Sequence, residues 1–132
     1  MRGNIAVSRT NDHKKVFKNL LSQYCPSCFY QLCPPDAGFP RVEYEFKQLA
    51  VDNVPYEKYI LTLNCYDKKQ DDTIDNFVDA LISAIDKSVY VENNLFYQYY
   101  YGKDRHIILE PDKTIKRVML TFEVRIYPRS EY

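Results

Sequence analysis

The 132-residue sequence has no tryptophan, only three glycines, two histidines and no excess of charge of either sign. Each shortage removes a class of protein. Three scattered glycines leave no glycine-rich loop to wrap a phosphate, so a nucleotide-binding fold is not expected. Eighteen Lys and Arg against eighteen Asp and Glu give a formal net charge of zero and a pI near 6.7. Domains that live on nucleic acid draw most of their affinity from neutralising phosphates and carry a basic excess, which is missing here. No apolar run approaches the roughly 18–20 residues a membrane span requires. Residues 1–10 lack the apolar centre of a signal peptide, so the chain is expected to begin its life in a cytoplasm.

What is present suits one compact domain. Hydrophobic residues make up 45%, and the length allows a real core. Thirteen tyrosines and seven phenylalanines dominate the aromatic content. Tyrosine combines an apolar body with a polar tip, which suits surfaces buried against a partner and wet at the rim.

Residues 1–10 show no periodicity and are expected to form a flexible arm, with residues 11–132 as a single α+β domain. Asn11 or Asp12 is placed to cap a first helix, whose stripe is Val16, Phe17, Leu20, Leu21 and Tyr24, and Pro26 stops it. A short strand is expected over 29–33, before the turn-rich run Pro34–Pro40. Val42, Tyr44 and Phe46 then alternate with Arg41, Glu43, Glu45 and Lys47, the pattern of a half-buried strand. Tyr59, Leu61, Leu63 and Cys65 alternate again, and the two strands are expected to pair as a long hairpin with its tip near 50–57. A second helix, capped by Asp71 or Asp72, carries Ile74, Phe77, Val78, Leu81, Ile82 and Ile85 on one face. Phe96–Tyr101 reads as a strand turned by Gly102-Lys103-Asp104. The last strand sets Val118, Leu120, Phe122, Val124 and Ile126 against Arg117, Met119, Thr121, Glu123 and Arg125, and Pro128 ends it. One mixed or antiparallel sheet with two helices on a single face buries every stripe.

The residues that carry chemistry do not assemble into a catalytic set. Cys25, Cys28 and Cys33 have spacing C-x2-C-x4-C, and Cys65 is a fourth thiol. Zinc sites commonly draw on two close pairs, whereas Cys65 stands alone on the apolar face of a strand as a small buried hydrophobe. The C-x-x-C pair follows a helix rather than opening one, so the helix's negative end disfavours a thiolate. Reduced, partly buried thiols and no metal or cofactor are therefore expected. His13, on the polar side of the first helix, and His106, beside Arg105, are read as solvated. The aromatic run 96–101 is read as sheet packing with a protein contact rather than as a base-stacking platform. The expectation is a protein that is not an enzyme.

Three stretches together resemble small phage tail-completion proteins. Pro34–Pro40 running into Val42-Glu43-Tyr44 is similar to their proline-flanked entry to a strand. Residues 59–67 leading into the helix 72–87 resemble their central strand–helix unit, and Glu110–Arg117 with the strand ending at Ile126-Tyr127 resembles their closing element. The resemblance to the tail-terminator (tail-to-head joining) family covers roughly residues 34–128. It implies a hexameric ring at the head-proximal end of the tail in a virion assembled in a bacterial host. The implied partners are the tail tube protein and the head connector or neck protein, with DNA only passing through the ring and no membrane. The cysteine-rich segment 25–33 departs from the family's pattern. A head-completion or neck protein is the nearest alternative; a zinc-stabilised nucleic-acid-binding module and a thiol oxidoreductase are alternatives of a different class. Val51, Val54 and Tyr56, at the tip of the long hairpin, are apolar groups costly to leave in water and are expected to form one side of the subunit contact.

Overall fold

A computed structural model of the chain describes residues 2–32, 34, 38–50, 53–68, 71–92 and 94–128, with residues 2–11 and 71–72 described by their backbone alone. The elements run α1 (Arg2–Ser22), β1 (Cys28–Tyr30), β2 (Arg41–Leu49), β3 (Glu57–Asp67), α2 (Asp71–Ile85), β4 (Val89–Glu92), β5 (Leu95–Ile108) and β6 (Lys116–Pro128). Six strands form one sheet in the order β1-β2-β3-β6-β5-β4. Among the described residues only the β1–β2 pairing is parallel; the other neighbouring pairs are antiparallel. This is a mixed α+β fold of the expected class, including the β2–β3 hairpin, which pairs without interruption from Arg41↔Tyr66 to Leu49↔Lys58.

The period-two pattern places the core. Val42 and Tyr44 of β2, Tyr59, Leu61, Leu63 and Cys65 of β3, Tyr97 and Tyr99 of β5, and all five apolar positions of β6 point to one buried face. Burying each large side chain contributes roughly 1.5–3 kcal/mol, an upper value because unfolded chains already hide some surface. Both helices cover that face. Val16, Phe17, Leu20 and Leu21 come from α1, and Ile74, Val78, Leu81 and Ile85 from α2, and all belong to the same core. The sheet is curled as a half-barrel. At one edge the Cys28 thiol donates to the Lys18 carbonyl, while Phe17 stacks edge-on against Tyr97 and Tyr99 in the fifth strand.

Four expectations require correction. The helix begins at Arg2 rather than at Asn11 or Asp12, so residues 2–10 of the expected arm lie on α1 backbone, and Met1 lies outside the described residues. No proline interrupts 2–22, and a helix already nucleated by its packed half propagates at little cost. Tyr24 lies beyond the helix end and is exposed; Cys25 takes the buried place. His13 is buried instead of solvated. Gly102-Lys103-Asp104 does not end a strand: β5 runs through to Ile108, and its register with β6 shifts between Tyr101↔Phe122 and Arg105↔Leu120. Three residues oppose one there, a bulge rather than a turn. Lys103 takes φ 61°, and a Cβ on Gly102 would lie 2.8 Å from the Thr121 hydroxyl and 3.1 Å from its carbonyl oxygen, so a larger residue there would have to displace Thr121.

Candidate assembly surfaces

Three surfaces stand out once the core is filled: the outward face of the sheet, the tip of the β2–β3 hairpin, and a cleft at the opposite end of the strands. The outward positions of β2, β3 and β6 set arginine, lysine, glutamate and tyrosine among Ile60, Thr62, Asn64, Met119 and Thr121. The Arg117 guanidinium donates to Asn64 Oδ1 at 2.9 and 3.0 Å and to Glu110 at 3.2 Å, and lies 5.5 Å from the Tyr66 ring centroid. Arg41 also lies 5.6 Å from the Tyr66 ring centroid and sits over Phe39. Further along, Arg125 lies 5.1 Å from the Tyr56 ring and 5.0 Å from the Tyr100 ring, and donates to Glu123 at 2.6 Å. Burial opposes ionisation of Glu123, but Arg125 and Lys58 outweigh it and hold the carboxyl below its usual range. Burial, then the hydrogen bond donated to Glu43, push the Tyr66 phenol up to about 12. Arginine and tyrosine are the residues enriched in protein interfaces, and cation–π pairs hold them in fixed orientations.

The hairpin tip carries two of the three expected contact residues within the described region. Val54 is exposed at 39%, beside Asn53 at φ 59°. Tyr56 is half-buried, its ring 5.0 Å from that of Tyr127 and under Arg125, so it joins the tip to the outward face. Val51 lies outside the described residues. β2 itself emerges from the core as it nears the tip: Val42 and Tyr44 are buried, whereas Lys47 and Gln48 are exposed.

The cleft was not visible in the sequence. It has a volume of about 480 Å³ and is formed where β5 runs beyond its bulge past the start of α2 and returns into β6. Ile74, Ile107, Ile108, Leu109, Ile115 and Val118 give it an aliphatic lining. Arg105 anchors the limb to α2 through Asp79 at 2.6 Å and Asp75 at 3.0 Å, and those carboxylates, Asp79 foremost, raise the guanidinium pKa.

Of the other singled-out side chains His106 is exposed, whereas His13, Cys25, Cys28 and Cys65 lie in the core. His13 Nδ1 is 2.8 Å from the Tyr97 hydroxyl, its ring stands edge-on to Tyr59 and Tyr97, and Nε2 is 3.8 Å from Glu57. Its position was legible: residues 13, 16, 17 and 20 share one helical face. Cys65 is fully buried, as expected, and burial pushes its thiol pKa up. Cys25 donates to the Pro40 carbonyl, and Cys28 lies 3.3 Å from the Ser22 hydroxyl. No group of three or more potential metal ligands occurs among the described residues, and Cys33 lies outside them. Among the described residues no helix is long and apolar enough to cross a membrane.

The architecture therefore defines a small α+β domain whose sheet carries both helices on one face and, among the described residues, none on the other. The same fold is found in a chain from a structure described as the virion of a native gene transfer agent (GTA) particle. The two align with a TM-score of 0.60 and 12% identity, over 80% of this chain and 83% of that one. No protein-family profile and no curated protein sequence matches.

Proposed function

We propose that the chain is a structural component of a phage-type virion, and specifically a tail terminator. In this reading it assembles as a ring, a hexamer, on the head-proximal end of the finished tail tube. The ring ends tube growth and presents the joint to the head connector or neck protein. DNA slides through the hole without specific binding, and the role requires no catalysis. The observation that carries the reading is the likeness of fold, over four fifths of the chain, to a chain of a gene transfer agent virion. The arginine–tyrosine face and the apolar tip support it, because a ring subunit must meet both its neighbours and the tube. Val54 and Tyr56, with Val51 in the same segment, form one side of the subunit contact.

The test is to disrupt the corresponding gene in the producing bacterium and view the particles by electron microscopy. Tails of uncontrolled length without attached heads are expected. Tails of uniform length joined to heads would overturn the assignment.

A further inference from the structure

The apolar tip and the aliphatic cleft lie at opposite ends of the same strands. Glu57, next to the tip, pairs with Ile126, whereas Asp67 pairs with Lys116 at the cleft end. Ten residues of β3 separate these levels, about 33 Å at 3.3 Å per residue. A tip cannot reach the cleft of its own chain.

Both ends leave aliphatic groups in water. Ile107 is 76% and Leu109 90% exposed at the mouth of the cleft, and Val54 projects from the tip. Their charges are complementary. The segment 50–56 contains one charged residue, Asp52. Of the charged groups bordering the cleft, Asp75 is paired by Arg105 and Glu110 by Arg117, which leaves the border cationic at Lys113. The limb also offers backbone. β4 pairs with β5 only up to Gln98, so from Arg105 to Ile108 β5 has β6 on one side and no strand on the other among the described residues. An incoming extended segment adds to such an edge while its side chains enter a pocket.

We infer that the cleft between the β5–β6 limb and α2 receives the β2–β3 hairpin tip of a second copy of this chain, with Val54 as the inserted side chain. The inference rests on the ring-subunit reading and names the surface that receives the tip. Because the two patches differ, the contact is head-to-tail, the kind that closes into a ring when the rotation fits.

Two single variants test it. Val54→Asp spoils the tip and keeps the cleft; Leu109→Asp spoils the cleft and keeps the tip. Both positions are exposed, so circular dichroism should show both variants folded. Forcing a carboxylate into an aliphatic cleft should weaken association by about tenfold or more. By light scattering and sedimentation, the wild type at high concentration, or on tail tubes, forms the ring, and neither variant alone does. Mixed in equal amounts, the two should give a one-to-one dimer and nothing larger, because one live tip meets one live cleft. Val89→Asp, at a comparably exposed position away from both patches, should still assemble. If Leu109→Asp assembles like wild type while Val54→Asp does not, the tip docks elsewhere, and the inference falls while the ring reading stands. A mixture that gives no dimer also overturns it. A wild type that stays monomeric even on tail tubes sinks both.

Discussion

The two faces of this sheet use the same six strands and reach different ends. On the inward face Leu61, Leu63, Leu120, Phe122 and Val124 are wholly excluded from water under two helices. On the outward face Arg117, Thr121, Glu123 and Arg125 alternate with them and are neither fully buried nor fully free. The inward face is held by area removed from water, which is large and indifferent to geometry. The outward face is held by oriented hydrogen bonds, ion pairs and cation–π contacts, each worth little to stability but fixing where a guanidinium or phenol points. The first face makes the fold; the second holds its side chains in fixed orientations, as the proposed assembly role requires.

Substitutions should separate the two. The largest loss is expected inside: Phe122→Ala removes a ring stacked near Tyr101 and should cost about 3–5 kcal/mol in urea unfolding. A loss under about 1 kcal/mol would mean that the core is far looser than the structure shows. Alkali comes next and touches both faces. Tyr44, inward, and Tyr66, outward, both have phenols pushed up to about 12, by burial above all. A pKa raised on folding stabilises the native state fully below the unfolded value near 10, and that share is lost as pH rises from there through 12. Stability should thus fall between pH 10 and 12, and Tyr66→Phe should flatten part of the fall. An unchanged slope in Tyr66→Phe would argue that Tyr66 is solvated. Smaller again is Arg117→Ala, about 1–2 kcal/mol, from lost hydrogen bonds to Asn64 and Glu110. A loss as large as that of Phe122→Ala would erase the distinction between the faces.

The sequence carried the inward face well and the outward surfaces poorly, for reasons that lie in particular residues. β3, β6 and α2 have their apolar groups at strict spacing, and all three elements appear where the periodicity puts them. β4 escaped because its pattern is reversed: Val89 and Val91 face water and Tyr90 faces the core. His13 escaped because its residue type spoke louder than its place in the helical stripe. The bulge in β5 left no signal beyond a glycine, which reads equally as a turn. The cleft depends on that bulge, since a chain that had turned at 102–104 would never have carried Ile107 past Ile74. The β2–β3 hairpin was legible in its two alternating strands; the cleft proposed to receive its tip is assembled from segments distant in sequence, and no local pattern records it.

The smallest effect is also the sharpest comparison, because it uses one residue type at two nearby places. Leu120 is completely buried on β6, and Leu109 is 90% exposed where the limb leaves β5. Leu120→Ala should cost about 2–5 kcal/mol, since it removes transfer energy and leaves a cavity under α2. Leu109→Ala and Leu109→Asp should each change monomer stability by no more than about 0.5 kcal/mol, because neither removes area buried within the chain. If apolar exposure at Leu109 served the fold, Leu109→Asp would lower the urea midpoint of the monomer well beyond that range. If it serves a contact, the midpoint stays and only association changes. Unfolding measured at a dilution where the chain is monomeric, beside sedimentation at high concentration, reads the two quantities separately. A destabilised monomer with association intact would assign Leu109 to the inward economy of the fold and leave the outward surface without its apolar anchor.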